Sequence, residues 1–407
     1  MTVVETPLVT LDDVRAAHDL LAGVIRPTPV EGSRPLSDRV GGPVALKCEN
    51  LQRTGSFKIR GAYVFIARLT PEERARGVVA ASAGNHAQGV ALAARLLGAK
   101  ATVFMPGAAP LPKVEATRAY GAEVLAAGHT VDEALLAAGE YAERTGAILL
   151  HPFDHPDVIA GQGTVGLEIL DQCPEVRTIV VSAGGGGLVS GIAVAVKALR
   201  PEIRVVAVQA DQAAAFPASL AAGEPIPLAS MATVADGIAV GRPGDLTFRH
   251  VRELVDHVTT VGEEALSQAL LLCLERGKLV VEPAGAAAVA AIMAEPQSFE
   301  PPVVAVLSGG NIDPVLLSKV IRHGMIAAGR YLSLRVRIPD MPGELARLLG
   351  VLADSGANVL DVEHQRTGRG LHLDEVEVEL QLETRGRKHG DEVLARLQQA
   401  AYSASPG

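Results

Sequence analysis

From Val44 onward the chain repeats one pattern, a short, mostly apolar run followed by a longer stretch with small apolar residues at helical spacing. The pairs are Val44 to Lys47 then Gly61 to Leu69, Val78 to Ala81 then Ala87 to Leu97, and Ala101 to Met105 then Lys113 to Tyr120. Runs this short, apolar on both faces and rich in Val and Ala, suit strands covered from both sides. The alternation therefore predicts βα units and a mainly parallel sheet. A second series begins after His151: Thr178 to Ser182 then Leu188 to Leu199, Arg204 to Gln209, and a late strand Val303 to Leu307 that reaches Ser308-Gly309-Gly310-Asn311. Two α/β lobes follow, preceded by a helix that starts after Thr10 as its cap and presents Val14, Ala17, Leu20 and Leu21 on one face.

The pattern changes beyond His323 to Arg330, a stretch with two glycines and little periodicity that reads as a linker. Leu332, Leu334, Val336 and Ile338 then alternate with Ser333, Arg335 and Arg337, the period of a strand with one wet face. Leu345, Leu348, Leu349 and Leu352 recur at helical spacing up to Gly356. Strands Asn358 to Gln365 and Glu375 to Leu382 and a helix Asp391 to Tyr402 complete the third unit. The closing residues, Tyr402 to Gly407, are short, polar and end in Pro-Gly, so no full last strand is expected there.

At 407 residues, 48% hydrophobic and 20% charged, the chain has material for more than one core and is not of disordered composition. A net charge of -9 with no basic cluster argues against nucleic acid or an anionic membrane as partner. Three widely spaced cysteines, Cys48, Cys173 and Cys273, suit neither a disulfide set nor a zinc motif, which favours a reducing cytoplasm. The acidic N-terminus, with Glu5, Asp12 and Asp13, does not read as an export signal. The most apolar stretch, Pro283 to Ala294, is too short to cross a bilayer and reads as a buried helix.

Three separated segments carry candidate chemistry: Thr54 to Tyr63, Ser82 to Gly89 and Ser182 to Gly191. The first holds Lys58, flanked by Phe57 and Ile59, where burial and the charge of Arg60 would depress the amine pKa and favour imine formation with an aldehyde. An ordinary surface lysine is the bland alternative. The second places Asn85 and His86 at the start of a helix, able to cap it or to reach a ligand. His86 as a general base ranks below Lys58, since no acidic partner is evident by spacing. In the third, the tetraglycine Gly184 to Gly187 follows an apolar strand and opens a helix, so its N–H groups can converge on an anion. It lacks the GxGxxG spacing of a dinucleotide loop. His151 and His155 are separated by Pro152, another proline follows, and no third ligand is apparent, so no metal site is expected. Together an amine, a side-chain amide and an anion cradle point to a phosphorylated aldehyde, pyridoxal 5'-phosphate, and to amino-acid chemistry.

These segments, with Lys47 to Gln52, His151 to Leu170, Ala235 to Gly237, Glu282 to Gly285 and Ser308 to Asn311, resemble the two-lobed, tryptophan synthase β-like fold-type II pyridoxal-phosphate enzymes. Among these the likeness is to the threonine dehydratases, over most of residues 10 to 322. The resemblance implies a catalytic region 1–322 whose smaller lobe, about 50–150, is inserted in the larger. It implies that Lys58 joins the cofactor covalently, that Asn85 meets the ring hydroxyl, that Gly184, Gly185, Gly186, Gly187 and Leu188 hold the phosphate, and that Ser308 faces the ring nitrogen. Phe57, Gly237 and Glu282 complete the cofactor site. Ser82, Ala83, Gly84, Asn85, His86 and Ala87 would cradle the substrate carboxylate. The implied reaction is deamination of L-threonine to 2-oxobutyrate, with L-serine a poorer substrate. A serine-preferring dehydratase, a racemase, and a cofactor-bound amino-acid sensor of little turnover remain open readings.

Departures from the pattern sharpen this. Serine racemases of the family carry a serine where Ala83 stands, so a second proton donor is lacking. Some relatives bind a divalent ion through a glutamate where this chain has Gln209, with a further acidic group near Ala215. Residues 331–407 resemble an ACT domain, an α+β, ferredoxin-like module, with Asp340-Met341-Pro342-Gly343-Glu344-Leu345 matching its first loop. The resemblance implies pairing across subunits, a homodimer or homotetramer, and an effector such as isoleucine or valine at Asp340, Gly343, Glu344, Leu345 and Asn358.

Overall fold

The computed structural model describes residues 6–366 and 371–406. The chain divides into two compact units, Met1–Leu317 and Ser318–Gly407. In the first, a six-stranded sheet runs in the order Val30–Gly32, Val44–Lys47, Val303–Val306, Thr178–Ser182, Arg204–Ala210, His257–Val261. Only its first pair is antiparallel. A second, four-stranded sheet is wholly parallel: Glu123–Ala126, Ala101–Met105, Val78–Ala81, Ile148–Leu149. The predicted alternation is therefore present, and the Val-rich runs are buried on both faces, as in Thr178–Ser182. Helix Leu11–Leu21 is capped by Thr10, whose side chain accepts from Asp13 N while Asp13 reaches back to the Thr10 backbone.

Three helices bring the chemistry together: Lys58–Arg68, Pro156–Gln172 and Gly187–Leu199. They meet backbone to backbone. A Cβ at Gly161 would lie 2.6 Å from the Cα of Gly61, and one at Gly191 would lie 2.5 Å from Gly163 N, so only glycine permits the approach.

Beside this contact lies a buried charge cluster. Arg60 donates to both oxygens of Glu49 at 2.8 Å, to Glu168 Oε1 at 2.7 Å and to Thr164 Oγ1 at 3.0 Å. Lys47 Nζ donates to Glu168 Oε2 at 2.5 Å, Gln172 Oε1 at 2.8 Å and the Thr28 carbonyl at 2.9 Å. Two cations face two carboxylates, so the desolvated charges cancel. Burial alone would pull the Arg60 guanidinium down, but Glu49 and Glu168 more than reverse this and leave it raised.

The second unit is an antiparallel sheet ordered Asn358–Gln365, Glu375–Glu383, Tyr331–Pro339, Ala404–Pro406. Its alternation follows the expectation: Leu334, Val336, Ile338, Val376, Val378, Leu380 and Leu382 are buried with Leu348, Leu352, Val393 and Leu397 of helices Glu344–Ser355 and Arg387–Gln399. On the other face Arg335 and Arg337 stand opposite Glu379 and Glu377 in register.

The last strand is short: Ala404–Pro406 pairs antiparallel with Val336, Arg335 and Leu334, covering a third of its nine-residue neighbour. One expectation is corrected. The span 323–330 is not simply a linker, because helix Pro314–Ala327 runs through its first five residues. Only 328–330 lie outside a helix or strand, and they are tied down, with Thr384 N donating to the Arg330 carbonyl at 2.9 Å.

Candidate active site

Lys58 opens its helix with its side chain half-buried. The ammonium donates to the Pro152 carbonyl at 2.9 Å and stands 5.1 Å from the centroid of the Phe57 ring. Loss of solvent brings its pKa down to about 8, against a partial opposing pull from Glu282. The contribution expected from Arg60 is absent, because Glu49 and Glu168 already neutralise that guanidinium. The segment before Lys58 is held at main-chain level, with Phe57 N donating to Ser308 O at 3.3 Å and Ser56 bridged to Gly309.

The glycine loop lies at the carboxyl end of strand Thr178–Ser182 and leads into helix Gly187–Leu199. Side chains are excluded: a Cβ at Gly185 would overlap the Phe153 ring, and Gly186 sits at φ +97°, where it would also press on Phe216 at 2.8 Å. Leu188 is buried beneath the loop. The Gly185 carbonyl accepts from Thr247 Oγ1 at 2.6 Å. Among the described residues none accepts from the N–H of Gly185 or Gly186, though both residues are buried. Buried donors without partners at a helix N-terminus are the mark of an anion cradle, and a phosphate fits it.

Asn85, Glu282 and Ser308 gather nearby. Asn85 Oδ1 accepts from Asn311 Nδ2 at 2.8 Å, and its Nδ2 donates to Glu282 Oε1 at 2.5 Å, leaving one amide proton for a ligand. Asn311 also donates to the carbonyl of Thr54, a non-glycine residue held at φ +63°. Glu282 is pushed up to about 7 by burial and by Asp236, partly offset by Asn85, Lys113 and Lys58. Gly237 lies beside it: a Cβ there would press on Ala284 Cβ at 3.0 Å and only reach ordinary contact, 3.7 Å, with Glu282 Oε1. Ser308 Oγ accepts from Ser182 Oγ at 3.0 Å, the two lying just beyond or at the ends of adjacent parallel strands.

The segment Ser82 to Ala87 turns into helix Asn85–Leu96, with Ser82 Oγ accepting from Gly84 N at 3.1 Å and Ala83 offering no hydroxyl. His86 is buried and its Nε2 meets the Leu150 carbonyl at 3.2 Å. Burial, reinforced by Lys58, drops its pKa to about 3, so it stays neutral and is not a proton donor at neutral pH. Phe153, Asp154 and Thr247 were not singled out by sequence reasoning and turn out to support the loop. Their contacts span 32 to 93 residues, beyond any local pattern.

In the second unit the expected effector residues are occupied internally. Asp340 pairs with Arg366 at 3.2 Å, Glu344 is buried against Arg347 at 3.0 Å, Leu345 packs on the core, and Asn358 Nδ2 donates to Glu383 at 3.2 Å. Gly343 adopts φ +93° just before its helix.

A desolvated amine beside a cradle for a phosphate, on a two-lobed α/β frame, defines an enzyme that carries a phosphorylated carbonyl cofactor on lysine. The chain belongs to the pyridoxal-phosphate dependent enzyme family, whose model matches residues 21–309, and carries an ACT domain at residues 332–401. Its cofactor is pyridoxal phosphate. It is 47% identical to an L-threonine ammonia-lyase of Thermotoga maritima over 95% of this chain and 96% of that one. Maize serine racemase superposes with a TM-score of 0.74 at 39% identity, covering 77% of this chain and 97% of that one. The processed form of threonine deaminase isoform 2 from Solanum lycopersicum gives 0.73 at 38% identity, covering 79% and 96%. No helix among the described residues is long and apolar enough to cross a membrane.

Proposed function

We propose that this chain deaminates L-threonine to 2-oxobutyrate and ammonia, with L-serine as a poorer substrate. The observation that carries the reading is the half-buried Lys58 amine, its pKa lowered to about 8 by desolvation, in a chain similar over 95% of its length to an L-threonine ammonia-lyase. When bound, the cofactor supplies the aldehyde that joins the substrate amine and the conjugated ring that spreads the electron pair left at the α-carbon. Lys58 anchors that aldehyde at rest. Once free, its Nζ would receive the α-proton. Gly184 to Leu188 would hold the phosphate, the free Nδ2 proton of Asn85 would meet the ring hydroxyl, and Ser308 would meet the ring nitrogen. A neutral hydroxyl there would not force a proton onto the ring nitrogen as a carboxylate would. Phe57, Gly237 and Glu282 line the remaining wall.

Backbone N–H groups from Ser82 to Ala87 bind the substrate carboxylate at the start of helix Asn85–Leu96. Loss of the β-hydroxyl as water leaves an unsaturated amine, which water converts to 2-oxobutyrate and ammonia. Racemisation would need an acid on the face opposite Lys58, and Ala83 offers none. The ACT domain binds isoleucine or valine through Asp340, Gly343, Glu344, Leu345 and Asn358, with Asp340 first released from Arg366.

The test is borohydride trapping of the holoenzyme with peptide mapping, alongside initial rates for threonine and serine with and without isoleucine. At pH 7.5 an amine with pKa about 8 is neutral roughly 200 times more often than one at 10.5, so the label should fall on Lys58, and Lys58→Ala should carry neither label nor activity. A label on another lysine would end the reading. Faster release of pyruvate from serine would replace threonine as substrate, and rates indifferent to isoleucine and valine would remove the effector.

A further inference from the structure

The segment from His151 to Asp154 touches both halves of the site. The Pro152 carbonyl takes the Lys58 proton donor, and the Phe153 ring fills the space a side chain on Gly185 would need. Asp154 faces a different helix, Asp245–Leu254, which has no side-chain cap of its own. Its Oδ1 accepts from the N–H of Leu246 and of Thr247, both at 3.0 Å, and its Oδ2 from Asp245 N at 3.1 Å. The carboxylate so placed satisfies three otherwise unpaired donors and the positive end of the helix. A Cβ on Gly244 would collide with it, so the glycine before the helix belongs to the same arrangement.

Thr247, fixed in this way and wholly buried, turns its hydroxyl to the glycine loop. Oγ1 lies 2.6 Å from the Gly185 carbonyl and 3.2 Å from that of Gly244, so its single proton goes to the loop. In a planar trans peptide the C=O and the following N–H point in opposite directions. Pinning the Gly185 carbonyl outward therefore aims the Gly186 N–H inward, where no described residue accepts from it. Gln209 approaches the preceding Gly184 carbonyl only at 3.5 Å, the limit of a hydrogen bond, so the orientation rests on Thr247.

We propose that Thr247 is a positioning residue for the cofactor phosphate, aiming the Gly186 N–H, and that Asp154 positions Thr247. The proposal rests on pyridoxal phosphate being the cofactor. It implies that discrimination between the phosphorylated cofactor and pyridoxal, which lacks the phosphate, depends on a hydroxyl that never touches either.

The experiment measures the affinity of the full-length apoenzyme for pyridoxal phosphate and for pyridoxal by absorbance, and the phosphorus-31 resonance of the holoenzyme. Thr247→Val should weaken pyridoxal phosphate roughly tenfold to a hundredfold, the loss of one charge-assisted donor, with pyridoxal unchanged and the phosphorus signal shifted. Thr247→Ser, which keeps the hydroxyl, should restore both. Asp154→Asn keeps the shape and should reduce the preference by roughly threefold to tenfold. It decides the matter by the same ratio if the valine variant does not fold. Equal weakening of both ligands, or an unmoved phosphorus signal with unchanged affinity, would overturn the proposal. A wild-type chain that binds no pyridoxal phosphate would instead overturn the assignment on which it rests.

Discussion

Replacing Arg60 by methionine tests whether the buried charge cluster is held together by pairing. The guanidinium makes four hydrogen bonds, two of them to Glu49, and both side chains are shut off from solvent. Without it, Glu49 keeps Thr28 Oγ1 at 2.6 Å as a side-chain donor and is left as an uncompensated charge. Breaking a buried pair in this manner costs about 3–5 kcal/mol. At about 2.1 cal/mol/K per residue, a unit the size of Met1–Leu317 has an unfolding entropy of about 0.67 kcal/mol/K, so the melting temperature should fall by about 5–7 °C. Thermal scans of wild type and variant at one scan rate measure this. The double variant Arg60→Met with Glu49→Gln removes the stranded charge and should regain at least about 3 °C. A single-variant shift under about 2 °C, or a double variant that melts below the single, would refute the reasoning.

Other outcomes follow from geometry and charge. Gly185→Ala should fold yet bind pyridoxal phosphate at least about tenfold more weakly, as the added methyl must displace Phe153 from the loop; unchanged absorbance titration of the apoenzyme would contradict it. His86 accepts a proton only near pH 3 when folded, against about 6.5 when unfolded, because burial and then Lys58 disfavour its charge. Between those values the unfolded chain binds more protons, so the contribution present above pH 6.5 is lost as pH falls through the folded pKa. The His86→Asn variant should therefore lose stability less steeply than wild type from pH 6 to pH 4, by up to about 1.4 kcal/mol per pH unit, in urea titrations. Parallel slopes would exclude the effect.

Much of the architecture could be read from periodicity because strands buried on both faces must be apolar throughout. Val44–Lys47, Val78–Ala81, Ala101–Met105 and Thr178–Ser182 fall where the runs placed them. His257–Val261 was missed: an edge strand, with two polar threonines and only Val261 buried, carries little of that signal. Lys58 and the tetraglycine announced themselves through local chemistry. The Asp154 to Thr247 contact, Asn311 on Asn85, and the pairing of Arg60 with Glu168 did not, since each joins residues far apart in the chain. Arg60 shows the hazard: proximity in sequence suggested that its charge acts on Lys58, whereas the fold had already committed it to Glu49 and Glu168. The helix through 323–327 was obscured by Gly324, although Val320 and Gly324, one helical turn apart, are both buried.

The contact of main chain on main chain at Gly61, Gly161, Gly163 and Gly191 makes the spacing between the reactive amine and the anion seat a property of the scaffold rather than of any interchangeable side chain. Side chains on the outer faces of those helices can diverge without detuning the catalytic ruler. Remodelling the substrate pocket should accordingly be tolerated around the seam and fail on it, where a single methyl would push apart the two ends of the bound cofactor's berth.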